Sequence, residues 1–292
     1  MEYRIIPPSS PEYPKKATDR LGNKAPTIYG HGNLGLLDRF TLSVLCSDQS
    51  HGTELRETNE ILFVIREFNL NYLGSWHSVI ETEIFRVSLF KGYSLKTKSS
   101  RSLRLGDKTL TLFSAKGLAR ESYESYLLDR FYPPLHQFPE REEYFRQAAA
   151  GELLMLSVSD PNCARQSRKN IMMRNWMICV LGDVLFIPYG PKGTKTYSVA
   201  KKAMEAGIPA FTIDNASSAD LHVLGIPGFN RETIGVYLEE KGASRATENG
   251  NSDPHQEYTL SPESYKPMVK ESSQKSLDFD NRAKQGNGTN KQ

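Results

Sequence analysis

The chain has 292 residues, with 37 Lys and Arg against 34 Asp and Glu and a hydrophobic content of 38%. That length allows one sizeable domain with tails, or two small domains. The formal net charge of +3 is too small to name a partner, so the local density of basic residues carries more meaning than their sum. Cys46, Cys163 and Cys179 are far apart and outside metal-ligand spacing, which argues against a disulfide scaffold or a zinc site and favours a reducing compartment. No apolar run approaches the roughly 20 residues of a membrane span, and Met1-Glu-Tyr-Arg-Ile-Ile has no signal pattern. The expectation is a soluble cytoplasmic protein with no membrane partner, metal or cofactor.

Residues 1–26 are rich in Pro, Lys and Ser and read as an arm. Residues 26–38 hold three glycines and little periodicity, which predicts an ordered approach loop. Residues 39–46 alternate and are rich in strand formers, so they form the first strand. After the loop 47–52, Thr53 caps a helix to about residue 68, with Leu55, Ile61, Leu62 and Ile65 on one side. A second strand covers 69–74, and residues 75–78 turn into a helix reaching 90. Residues 91–108 are basic, with Lys96, Lys98, Arg101 and Arg104 close together. The simplest reading is a solvated loop; the alternative is an extension of a nucleic-acid track. A third strand spans 109–114, a helix 119–130, then Tyr132-Pro-Pro134 breaks the chain before a helix over 140–149.

Residues 151–214 carry the clearest pattern. An apolar run opens at Gly151, a helix is basic in its first half and apolar in its second, and a strand begins at Val184. The tight turn Tyr189-Gly-Pro-Lys-Gly-Thr194 leads into a second helix, and a last strand ends at Asp214. Strands alternating with helices mean βαβ units, hence a parallel sheet covered on both faces. Ligands of such sheets sit outside the carboxyl ends of the strands. A glycine-containing loop and a last helix over 231–241 follow. From 242 to 292 Ser, Asn, Gln, Lys, Glu and Gly dominate, too little apolar surface to offset chain entropy, so a disordered tail is expected. The fold expected is an α/β, Rossmann-like, three-layer domain with a mostly parallel sheet over 27–241, between the arm and the tail.

Three features carry a family resemblance: Cys46-Ser47-Asp48 after the first strand, Arg174-Asn175 ahead of Asp183, and Gly190-Pro-Lys-Gly-Thr194 before a helix with Ala200. Their order resembles the Rossmann-like domain of the DNA-processing protein A (DprA/Smf) family, over about two-thirds of the chain. That family has Gly-Ser-Arg where this chain has Cys46-Ser47-Asp48, and an arginine in the loop that reads Gly74-Ser-Trp-His-Ser78 here. The acidic residue before its late turn is Pro188, that turn is one residue shorter, and the tail occupies the place of a winged helix. The resemblance implies single-stranded DNA binding, self-association as a homodimer and help in loading a recombinase.

A phosphodiester pocket needs fixed N–H groups at glycine turns and helix starts, and Lys or Arg that displace counterions. Gly190, Lys192, Gly193 and Thr194, with Lys195, offer both, although the turn could equally be a plain strand-to-helix connection. Arg165, Arg168 and Lys169 bring charge from the neighbouring helix, or form a solvated face. Arg174 has two readings, phosphate contact or an internal ion pair, for instance with Asp183. Asn175 touches ligand or ties two loops; Ser47 caps or binds phosphate. His77 and Ser78 could add donors, and Trp176 or Tyr189 could stack on a base. Catalytic motifs are lacking: no Gly-x-Ser-x-Gly elbow, no His-Glu-x-x-His and no Walker lysine loop. Pro188-Tyr-Gly-Pro-Lys-Gly-Thr194 also resembles the turn of lysine-decarboxylase-like phosphoribohydrolases, but Tyr197 stands where their catalytic glutamate is expected, leaving no agent for acid–base chemistry. A nucleotide-sensing module is a third possibility.

Overall fold

The computed structural model describes residues 2–89, 105–129 and 140–246, all within one unit, Met1–Pro254. The basic stretch Lys96 to Arg104, the Tyr132-Pro-Pro134 break and the tail from 247 onward lie outside the described residues.

The strands are β1 (Arg4–Ile6), β2 (Ile28–Gly32), β3 (Thr41–Val44), β4 (Leu70–Gly74), β5 (Lys108–Ser114), β6 (Leu153–Ser157), β7 (Val184–Phe186), β8 (Ala210–Ile213) and β9 (Gly228–Phe229). They form one sheet in the order β1-β2-β6-β5-β4-β3-β7-β8-β9. From β6 to β9 every pairing is parallel, whereas β1 and β2 add an antiparallel flank. The fold is thus α/β and Rossmann-like, with a mostly parallel sheet. The first 26 residues do more than lie over it: β1 extends the sheet, and the approach loop contains β2, paired with β6 through Tyr29↔Ser157.

The helices are α1 (Lys15–Leu21), α2 (Gly52–Ile65), α3 (Val79–Leu89), α4 (Tyr123–Leu128), α5 (Arg141–Ala149), α6 (Arg168–Leu181), α7 (Lys195–Glu205), α8 (Ala219–Val223) and α9 (Ile234–Glu240). Parallel strands are covered on both faces and so read as apolar runs. Leu42, Tyr72, Leu112, Met155 and Phe186 point to one face, under α2, α3 and α9. Leu73, Phe113, Leu154, Leu156 and Leu185 point to the other, under α1, α6 and α7. The helices change face because the chain first winds from β3 outward to β6, then crosses back to β7, and right-handed crossovers in opposite directions cover opposite faces. The reversal lies between β3 and β7, and at such a point the ligands of doubly wound sheets are expected to sit, outside the carboxyl ends of the strands.

Polar residues in the sheet interior bond to one another. Asn71 donates to Thr41 Oγ1 at 3.2 Å and accepts from Thr109 and Thr111 at 3.3 and 3.0 Å. The α6 carboxyl end is held by α1: Arg20 Nη1 donates to the Val180 and Gly182 carbonyls at 2.7 and 2.6 Å, and to Cys179 at 3.4 Å. These carbonyls have no intrahelical partner and carry the negative end of the helix dipole, so a guanidinium satisfies both.

Candidate functional site

Crossover helices run back against their strands, so α6 and α7 both begin at the carboxyl edge of the sheet. A side-chain contact sets their relative height. Lys202 Nζ lies 3.7 Å from the centre of the Trp176 ring, and these residues stand eight and seven positions into their helices. At about 1.5 Å per residue this contact lies roughly 12 and 10 Å along the two helices, so both begin on the carboxyl side of it. Trp176 is thus half-buried beneath its own cation, away from the edge.

The turn before α7 is built from its sequence. Thr194 caps the helix, accepting from the Tyr197 N–H at 3.1 Å and donating to the Pro191 carbonyl at 2.7 Å. Gly193 sits at φ 89°, where a side chain would be strained. Gly190 is buried and Lys192 is exposed. The Lys192 N–H is already engaged, donating to Asp220 Oδ2 at 2.8 Å. Across the crevice, the Ser47 N–H donates to the Tyr189 carbonyl at 2.9 Å. Ser47 Oγ is buried and finds no partner among the described residues. Tyr189 meets His51 edge to face at 5.9 Å, forming an aromatic pair at the crevice mouth.

The loop before α6 is fixed from below. Gly117 N–H donates to Cys163 O at 2.8 Å and Ala119 N–H to Pro161 O at 3.0 Å. A Cβ on Gly117 would come within 2.0 Å of the Asp160 carbonyl, so only glycine lets the two loops approach. Ser167 caps α6 through the Asn170 N–H at 3.1 Å. Arg165, Arg168 and Lys169 are then exposed at the rim. With Lys192 and Lys195 they make five exposed cations, and no ion pair among the described residues engages any of them. Beyond β8 the edge turns acidic: Glu57, Glu60, Asp214 and Glu232, with Arg231, line a cavity of about 330 Å³.

Arg174 and Asn175 are not on this rim. Both are buried, and Arg174 Nε and Nη2 donate to Asn175 Oδ1 at 3.0 and 2.9 Å. Asp183 is not the partner of Arg174; its carboxylate takes Lys16 Nζ at 2.5 Å and the Thr41 N–H at 2.7 Å. The positive charge of Arg174 also acts on Glu81, favouring that carboxylate's ionised form.

Sequence reasoning missed Glu81, which organises the crevice floor. It is 2% exposed. It accepts from the Cys46 N–H at 2.9 Å, the His77 N–H at 2.8 Å and the Ser75 hydroxyl at 3.0 Å. Burial pushes its carboxyl up, opposed by the N–H donors, Arg174 and Ser75. The available signal was Ser78-Val-Ile-Glu81, a capping-box spacing, and Ser78 Oγ does accept the Glu81 N–H at 3.1 Å. Burial likewise pushes the Cys46 thiol up, reinforced by Glu81, so this cysteine is not a reactive thiolate.

The sheet order, and crossover helices on both faces, define a doubly wound Rossmann-like domain with exposed cations at the carboxyl edge where α6 and α7 begin. The chain has a DprA-like fold. It is similar to DNA processing protein A from Streptococcus pneumoniae, with TM-score 0.60 and 16% identity over 82% of this chain and 74% of that one. It is also similar to DNA processing protein A from Helicobacter pylori, with TM-score 0.57 and 15% identity over 82% of this chain and 97% of that one; that structure concerns a single-stranded DNA binding mode. No family model and no curated protein matches the chain.

Proposed function

We propose that this chain is a DNA-processing protein that binds single-stranded DNA without catalysing a reaction on it. The observation that carries the reading is the set of five exposed cations, Arg165, Arg168, Lys169, Lys192 and Lys195, at the starts of α6 and α7, which no ion pair among the described residues engages. A strand laid along them would release counterions from its phosphates. Gly190, Gly193 and Thr194 shape the turn against which the backbone would rest, and Ser47, its hydroxyl buried, holds that turn's Tyr189 through its N–H from the opposite loop. Of the two aromatic candidates, Tyr189 stands at the crevice mouth and Trp176 does not, so Tyr189 is the residue proposed to stack on a base. Arg174 and Asn175 act from inside, holding the floor. The likeness to DNA processing protein A supports the same reading, and with it we include self-association as a homodimer, assistance to a recombinase and a cytoplasmic place of work. No described helix is long and apolar enough to cross a membrane.

The test is a fluorescence titration of labelled oligothymidine at low salt. Salt-sensitive association is expected, and absence of binding removes the reading.

A further inference from the structure

Two neighbouring loops present donors, the Cys46 N–H after β3 and the His77 N–H and Ser75 hydroxyl after β4, and all of them converge on one carboxylate. Convergent N–H groups at the ends of parallel strands form an anion cradle, the arrangement by which such loops hold phosphate. Here the anion comes from α3 of the same chain. We infer that Glu81 is a built-in anion that occupies the donors of the loops after β3 and β4, closing them to ligand phosphate and leaving an incoming polyanion to the exposed cations of the outer rim.

Three observations agree. Glu81 is 2% exposed, so it is sealed in the floor and does not swing at its surface. Its oxygens divide the donors, Oε1 taking Cys46 and Oε2 taking Ser75 and His77, so both lobes of the cradle are occupied. Arg174, buried at 5% exposure on α6, adds a positive charge whose field favours the ionised form of the same carboxylate. The residue therefore sets specificity: a small phosphorylated ligand would need the donors that Glu81 occupies, whereas an extended strand uses the rim. This consequence for ligand choice rests on the proposed DNA reading; the built-in anion rests on the hydrogen bonds alone.

The test is anion rescue. Wild type, Glu81→Ala and Glu81→Gln are melted at rising sodium formate, with sodium chloride at matched ionic strength as reference. Glu81→Ala should melt well below wild type. Formate should raise its melting temperature by several degrees beyond chloride and in a saturable way, as expected for a ligand that binds only the folded state. Wild type and Glu81→Gln, whose cradles hold a side chain, should show only the common salt response. The same response to formate and chloride in all three proteins would overturn the inference. If Glu81→Ala is recovered only as aggregate, the comparison becomes refolding yield in formate against chloride, and equal yields overturn it. Failure of the oligothymidine titration would remove the DNA reading and leave this comparison untouched.

Discussion

The cationic rim makes a quantitative prediction. Each phosphate neutralised on a single strand contributes about −0.7 to the slope of log affinity against log salt. If all five rim cations engage the strand, the slope is about −3.5, and affinity falls about a hundredfold between roughly 50 and 200 mM salt. Replacing Arg168 and Lys192 together by Ala removes one cation from each helix start and should bring the slope to about −2. Lys201, which pairs with Glu205 along the exposed side of α7, is the control, and Lys201→Ala should leave the slope unchanged. The assay is anisotropy of labelled oligothymidine at four or more salt concentrations. An unchanged slope in the Arg168/Lys192 variant, or an equal fall in the control, would refute the assignment of the rim.

Three further outcomes follow from the geometry. Arg20→Ala removes two short charge-assisted bonds from the α6 carboxyl end; since water reaches this partly exposed site, the loss should be about 2 kcal/mol, or about 4–8 °C in melting temperature, and a loss below about 0.5 kcal/mol would contradict it. Asp220→Asn keeps an acceptor for the Lys192 N–H but deletes a negative charge beside the rim, so oligothymidine affinity at low salt should rise about twofold, with the gain fading as salt increases. Burial acts to raise the Glu54 carboxyl, but hydrogen bonds from Ser217 and from the Glu54 and His51 N–H groups outweigh it, with help from the His51 charge, and hold it below its ordinary 4.5. A depressed carboxylate stabilises the fold above that value and loses its contribution as pH falls below it. The stability gap between wild type and Glu54→Gln should therefore shrink on acidification, as urea melts at pH 6 and pH 3 can check.

The parts of this fold that could be read from sequence are those whose local chemistry matches their final surroundings. β6, β7 and β8 are apolar runs because parallel strands are covered twice, and the turn into α7 announces itself through Gly190, Gly193 and the cap Thr194. β2 was hidden because Ile28-Tyr-Gly-His-Gly32 has two glycines and no alternation; it becomes a strand only by pairing with β6, more than a hundred residues away. α8 and β9 are too short to show a period. In the site, exposed cations such as Arg168 were legible, whereas the burial of Arg174 was not, because arginine is rarely interior unless a partner is supplied from elsewhere. Glu81 has a local signature as a helix cap, but its bond to Cys46 exists only once β3 and β4 lie side by side.

The central claim is that a strand lies along the starts of α6 and α7. Photo-cross-linking of oligothymidine carrying 5-iodouracil, followed by peptide mapping, tests it most directly. The account predicts adducts in the segments 163–169 and 189–197 and at His51, with Tyr189 and His51 as the aromatic acceptors. Adducts confined to α9, or to the acidic cavity of Glu57, Glu60, Asp214 and Glu232, would contradict it.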